Sequence, residues 1–346
     1  MPSPGEPSSA IDPTAQTSRG VLPRLAGMLL RVSIALLVFL VTIELTARAA
    51  RYFVPAGQSN DNPFPFIVPD PVLGWTNAPT PLLPQLAFDP RGYRLVPHAS
   101  DQKAINVLCL GDSGTFGIYR DEHGQVRFNN DWPRLLSDRL TELGTPNRIF
   151  NAGCLGYDTS HGILQLKAHT GPLDFVIIRY GWNDHASPSM ADSRARDSFL
   201  RQLLKRSAAA HWMVLLLKLD VIPSSDGPRV PLETFRKNLH ELLELAAARG
   251  ATPVLVDYPI GTFNEESAKV SLIVHRGFCE GAACIVDLHE KYRSILKETA
   301  SERGIVWIDG SEEDASHFSA QDPVHLNEKG AQSLADELAR TLHEHL

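Results

Sequence analysis

The sequence predicts an α/β domain built on a five-stranded parallel sheet covered on both faces. Two observations predict it. Five short apolar runs recur from residue 105 onward, each the length of a strand and bounded by turn residues. Helical patterns separate them, and strands alternating with helices form parallel sheets with right-handed crossovers.

The strands are expected at Ile105–Leu110, Arg148–Asn151, Asp174–Tyr180, Thr252–Asp257 and Ile305–Asp309. Helices are expected at Asp131–Leu143, Leu232–Arg249, Ile285–Arg303 and Asn327–Leu346. The second of these is clearly amphipathic, with Leu239, Leu242, Leu243 and Leu245 on its apolar side. Residues 48–104 form a lead-in; from residue 55 it is Pro-rich with short apolar pieces such as Phe64–Val68, so it reads as loops and short strands. The segment Ser198–Asp220 contains the apolar run Trp212–Leu217, too short to span a bilayer. It reads as an inserted helical segment packing on the domain.

Residues 1–24 hold Pro2, Pro4, Pro7, Pro13 and Pro23 among Ser, Thr and Gly, the composition of a flexible tail. Leu25–Ala47 follows. Its uninterrupted apolar core, Val32–Ile43, covers roughly 18 Å as a helix, but the whole stretch covers roughly 34 Å, enough for a bilayer core of roughly 30 Å. Three readings stand. The length argument favours an uncleaved, single-pass signal anchor. A signal peptide cleaved after Ala49 fits the Ala47-Arg48-Ala49 pattern, and a buried helix of a soluble protein is the third. Arg19, Arg24 and Arg31 precede or open the span and Arg48 and Arg51 follow it, so charge orients it only weakly. The large domain that follows argues for an extracytoplasmic catalytic part.

Composition excludes several classes. With 43% hydrophobic and 21% charged residues the chain is neither wholly disordered nor a multi-span membrane protein. A net charge of −7 gives no basic excess for a nucleic-acid partner. Four cysteines are too few for a disulfide scaffold. Cys279 and Cys284 enclose four residues and are either a small disulfide loop or two thiols. Cys109 and Cys154 read as small buried residues.

Chemistry concentrates where strands end. The first strand runs into Gly111-Asp112-Ser113-Gly114, placing Ser113 in a Gly-rich turn beyond a strand's carboxyl end, where such sheets bind ligands. That is a good position for a nucleophile. Asp322-Pro323-Val324-His325 sits in a turn before the last helix, where the carboxylate can fix the imidazole's tautomer. After the second strand, Gly156 can bring its backbone N–H close to a substrate. After the third, the Asn183 amide can donate a hydrogen bond. Together these are donors of the kind an oxyanion needs.

Other patterns fail. Thr115 breaks the Gly-x-Ser-x-Gly elbow, and Gly111, Gly114 and Gly117 match neither a dinucleotide fingerprint nor a P-loop. His161 and His185 lie near the expected site and read as polar supports. His343-Glu344-His345 reads as a solvated tail and Glu312-Glu313-Asp314 as an exposed acidic loop.

The four blocks in this order resemble the SGNH (GDSL) hydrolase family, from about Ile105 to Leu346. Leu73-Gly74-Trp75 and Arg91-Gly92-Tyr93-Arg94 are similar to its membrane-anchored members. The resemblance implies a flavodoxin-like three-layer α/β/α sandwich. It implies Ser113, His325 and Asp322 as a catalytic triad, and Ser113, Gly156 and Asn183 as the oxyanion hole. No cofactor and no metal is implied. The expected activity is hydrolysis of an acyl ester, an O-acetyl ester among the candidates, on a glycan or lipid. An O-acyltransferase using the same triad and a non-catalytic, membrane-tethered glycan-binding subunit are the alternatives.

Overall fold

A computed structural model describes residues 21–53, 64–97, 103–187, 227–263, 275, 277–310 and 315–346. Most of the expected tail, the segment Ser198–Asp220 and the acidic run Glu312–Asp314 lie outside the described residues. The described residues fall into two compact units, the N-terminal helix and everything from Phe64 onward.

The N-terminal helix α1 (Val21–Phe53) is longer at both ends than its apolar centre. Its stretch Gly27–Thr46 has a mean hydropathy of 2.3 and is long and apolar enough to cross a membrane. The large apolar side chains from Met28 to Leu45 are exposed, which a buried core helix would not tolerate.

The second unit begins with a hairpin, β1 (Ile67–Asp70) against β2 (Gly74–Asn77). The central sheet follows: β3 (Ile105–Gly111), β6 (Asn147–Asn151), β7 (Phe175–Arg179), β8 (Thr252–Val256) and β9 (Val306–Ile308). Between β3 and β6 lie the one-turn helix α2 (Ser113–Phe116), a small hairpin of β4 (Tyr119–Arg120) and β5 (Val126–Arg127), and helix α3 (Trp132–Glu142). The remaining helices are α4 (Thr159–Ala168), α5 (Leu232–Ala248), α6 (Ala282–Arg303) and α7 (Glu328–Glu344). A second small hairpin, β10 (Phe318–Ser319) with β11 (Asp322–Leu326), precedes α7.

The sheet order is β6-β3-β7-β8-β9, with every neighbouring pair parallel. Each predicted strand is present to within a residue or two. Side-chain alternation divides the core into two layers. On one face Val107, Cys109, Ile177 and Val254 pack against Leu136 and Leu140 of α3 and Leu334, Leu338 and Leu342 of α7. On the other, Leu108, Leu110, Ile178 and Leu255 pack against Ile163 and Leu166 of α4, Leu239 and Leu242 of α5, and Leu296 of α6. The expected three-layer sandwich is therefore the observed one.

Several helices start where side chains cap them. Asp131 accepts from the Arg134 N–H at α3, and Asn327 from the Gly330 N–H at α7. Helix α4 was not expected, because Gly162 interrupts a short and weakly amphipathic stretch. Two features supply what propensity does not. Asp158 caps its first turn, accepting from the backbone of Ser160 and His161. Gly162 lets the helix approach Tyr180 so closely that a Cβ at this position would lie 2.7 Å from the ring.

The Asp322–His325 block differs from expectation in lying on a strand, β11, rather than in a turn. The strand is irregular there, because its register against β10 shifts. The Asp322 carboxylate accepts from the N–H groups of Val324 and His325, which bends the backbone as an Asx-turn does. His343 lies in the last turn of α7 and is exposed, with its Nδ1 2.9 Å from Thr145 Oγ1. Cys279 and Cys284 form a disulfide just before and within α6, and Cys109 and Cys154 are buried thiols.

Gly-to-Ala changes in exposed helices stabilise by roughly 0.5–1 kcal/mol. At Gly162 the sign should reverse, and Gly162→Ala should cost about 1–3 kcal/mol through the overpacked Tyr180 contact. Chemical denaturation of the two proteins checks this; an unchanged midpoint would mean that the ring yields without cost.

Candidate active site

The order β6-β3-β7 places three loops side by side at the carboxyl edge of the sheet. The chain runs from β3 to its neighbour β6 on one side and from β7 to its neighbour β8 on the other, so the strand order reverses between β3 and β7, which is where open α/β sheets hold ligands. Ser113 follows β3, Gly156 follows β6 and Asn183 follows β7.

Ser113 opens α2, whose N-cap Asp112 accepts from the Gly114 N–H at 2.8 Å. Its Oγ lies 2.8 Å from Nε2 of His325, 212 positions away in sequence. The other ring nitrogen of His325, Nδ1, lies 2.9 Å from both carboxylate oxygens of Asp322. Asp322 is fixed in turn by the Arg120 N–H, which donates to Oδ2 at 2.9 Å. Ser113, His325 and Asp322, predicted separately, thus form one hydrogen-bonded chain.

Burial works against a charged imidazolium at His325, but the charge and hydrogen bond of Asp322 outweigh it and hold His325 above its ordinary range. Asp322 moves the opposite way. Burial favours its neutral form, yet the adjacent imidazole and the backbone donors hold its carboxyl below the usual range.

Gly156 has a φ of +80°, a backbone conformation that side-chain-bearing residues rarely adopt. Asn183 Nδ2 donates to Asp112 Oδ2 at 3.2 Å and to the Tyr157 carbonyl at 3.1 Å. Both amide hydrogens are therefore taken by protein acceptors, one of them the side chain of Asp112, next to Ser113 in sequence. An incoming oxyanion would compete with these two acceptors for them. Asp184 links the same two loops, its Oδ1 accepting from the backbone N–H and hydroxyl of Thr159. Burial and the nearby Asp158 carboxylate push the Asp184 carboxyl up, against the pull of the Thr159 donors.

Several supports were not legible as such in the sequence. Asp112 is completely buried, and burial raises its pKa against the opposing pull of Arg179. Tyr258 donates its hydroxyl to Asp112 Oδ1 at 3.1 Å. The Arg179 guanidinium lies 4.0 Å from the centroid of the Tyr258 ring, a cation–π contact in the interior. A lone arginine in the otherwise apolar run Phe175–Tyr180 was the available signal for it.

His185 does not line the site but belongs to a buried row of imidazoles. His289 Nε2 donates to the Tyr258 carbonyl, so its Nδ1 must accept from His185 Nε2, and His185 Nδ1 from His275 Nε2. Burial disfavours charge on two of these rings, with His289 lowered to about 4 and His185 lowered well below its ordinary range. Trp182, next to Asn183, meets all three rings edge-on. His161 sits at the start of α4, its Nδ1 2.8 Å from Asp158. Among the described residues no group of three or more His, Cys, Asp or Glu side chains converges as a metal site.

A serine bonded to a histidine that is bonded to a carboxylate, at the carboxyl edge of a parallel sheet, is the arrangement of a serine hydrolase. A comparison with family models gives the narrower answer. The chain belongs to the GDSL-like lipase/acylhydrolase family, whose model matches residues 109–332, well over half of the sequence. Among curated proteins no sequence matches it. Solved structures similar to it include a carbohydrate acetylesterase from Sinorhizobium meliloti, 15% identical, with a TM-score of 0.44 over 70% of this chain and 100% of that one. An inhibitor-bound aryl esterase from M. smegmatis is 18% identical, with a TM-score of 0.42 over 70% and 100% of the two chains. For a putative GDSL-like lipase from Parabacteroides merdae the values are 15%, 0.44, 71% and 100%.

Titration of the His325 imidazole by NMR should give a pKa above 6.5, and Asp322→Asn should lower it. If Asp322→Asn leaves the titration in place, the carboxylate is not the source of the shift.

Proposed function

We propose that this protein is a serine esterase that hydrolyses acyl esters of a glycan or lipid, O-acetyl esters among them, through an acyl-enzyme. The observation that carries the reading is the unbroken chain from Ser113 Oγ through His325 to Asp322, with contacts of 2.8 and 2.9 Å.

In the first half-reaction His325 Nε2 takes the hydroxyl proton as Ser113 Oγ bonds to the acyl carbonyl carbon. Asp322 holds the ring and stabilises its charged form. The carbonyl oxygen becomes an oxyanion facing the N–H groups of Ser113 and Gly156 and the Asn183 amide. The imidazolium then gives its proton to the departing alkoxide, and the C–O bond to the alcohol breaks. In the second half, His325 deprotonates a water that attacks the acyl-serine. The acid leaves and Ser113 Oγ regains the proton.

The apolar length of α1 supports a single-pass anchor, with tail 1–24, span 25–47, lead-in 48–104 and a hydrolase domain over 105–346. The domain then works at a membrane surface, on the extracytoplasmic side. Deleting residues 1–53 should move the activity from the membrane fraction to the soluble one.

Fluorophosphonate labelling, run beside p-nitrophenyl acetate turnover, tests the chemistry. Wild type should label and turn over, while Ser113→Ala and His325→Ala should do neither. Asn183→Ala should still label but lose roughly 10²–10³ in kcat, the usual cost of one oxyanion donor. Folded wild-type protein that neither labels nor turns over would end the esterase reading. Because the base works unprotonated, kcat/KM should rise with pH through a midpoint above 6.5, following the upward shift of His325.

A further inference from the structure

Gly156 is held from two sides by residues outside its own loop. The peptide group that carries its N–H also carries the Leu155 carbonyl, and that carbonyl accepts the indole N–H of Trp75 at 2.8 Å. The next peptide group carries the Gly156 carbonyl, which accepts from Arg229 Nη1 at 2.7 Å. Trp75 lies on β2 of the lead-in hairpin, paired with Pro69 of β1, eighty positions before Leu155. It is itself locked in place. Its backbone carbonyl accepts the Tyr157 hydroxyl at 2.7 Å, and its ring packs against Tyr157 and His161. The same ring covers Gly156 closely enough that a Cβ there would lie 3.2 Å from it.

A peptide group is planar, so pinning its oxygen fixes the direction of its N–H. A hydrogen bond to the oxygen also draws electron density through the amide and makes the N–H a stronger donor. A donor fixed before the reaction needs no reorganisation when charge develops. The neighbouring segment gives further ties of the same kind: Asn77 Nδ2 donates to the Gly153 carbonyl, and Cys154 Sγ lies 3.3 Å from Asn77 Oδ1.

We propose that Trp75 is a positioning residue for ester cleavage: its indole N–H, bonded to the Leu155 carbonyl, aims and polarises the Gly156 N–H. The lead-in hairpin, which precedes the residues matched by the family model, is thereby part of the catalytic apparatus. This rests on the reading of Gly156 as an oxyanion donor.

The test uses the full-length protein in detergent with p-nitrophenyl acetate as substrate. Three proteins are compared with wild type: Ser113→Ala, Trp75→Phe, and one with Trp75 replaced by benzothienylalanine, which keeps the ring shape but has sulfur in place of the N–H. Removing only the N–H should lower kcat roughly tenfold, less than loss of a whole oxyanion donor, with KM and the thermal midpoint unchanged. Trp75→Phe should lower kcat at least as far, and should lower the midpoint too because it leaves a gap. If the isostere turns over at the wild-type rate while Ser113→Ala is inactive, the positioning role is wrong and the esterase reading stands. If the isostere loses kcat only together with its thermal midpoint, Trp75 is a packing residue and the proposal is overturned. If wild-type turnover does not depend on Ser113, the esterase reading fails and the role of Trp75 falls with it.

Discussion

Strand β3 is hydrogen-bonded on both sides by parallel neighbours, β6 and β7. Parallel pairing sends all three chains out of the sheet at the same edge, so the loops after them must share one small volume. That constraint, rather than any single side chain, brings Ser113, Gly156 and Asn183 together. It holds because both faces of β3 are filled: Val107 and Cys109 face one helical layer, Leu108 and Leu110 the other, all without solvent exposure. Shifting β3 by one residue would exchange these faces and swing Ser113 out of the site.

Below the loops the interior is unusually polar. Asp112, Arg179 and Tyr258 are buried together, and Arg179 Nε and Nη2 have no hydrogen-bond acceptor among the described residues. Burying a guanidinium on these terms costs several kcal/mol unless charge partners offset it. The partial offsets are the Tyr258 ring face and the nearby Asp112 carboxylate. The guanidinium also lies close beneath Gly114, where an added Cβ would meet Arg179 Nη1. The imidazole row of His185, His275 and His289 backs the same loop from the other side through Trp182.

The sheet was legible because its strands are buried on both faces and read as continuous apolar runs. The hydrogen-bonded chain of Ser113, His325 and Asp322 was legible because each member sits in a short block with its own local chemistry. Helix α4 was not, since its stability comes from the Asp158 cap and the Gly162–Tyr180 contact, and neither is a periodicity. Nor could spacing reveal Trp75 or Arg229, whose partners are backbone carbonyls 80 and 73 positions distant. A backbone acceptor leaves no trace in residue type. Arg179 shows the converse: its charge stands out in an apolar strand, but only three dimensions supply Tyr258 as its neighbour.

The histidine block lies immediately before α7, and α7 packs on α3, which is made of residues near the nucleophile. Contacts spanning most of the chain form late and slowly in folding, because distant segments must find each other first. A chain being made from its N-terminus therefore carries Ser113 long before it carries His325. On the proposed mechanism Ser113 has nothing to activate it until the strand carrying His325 is made and paired, so the order of synthesis itself would delay hydrolysis.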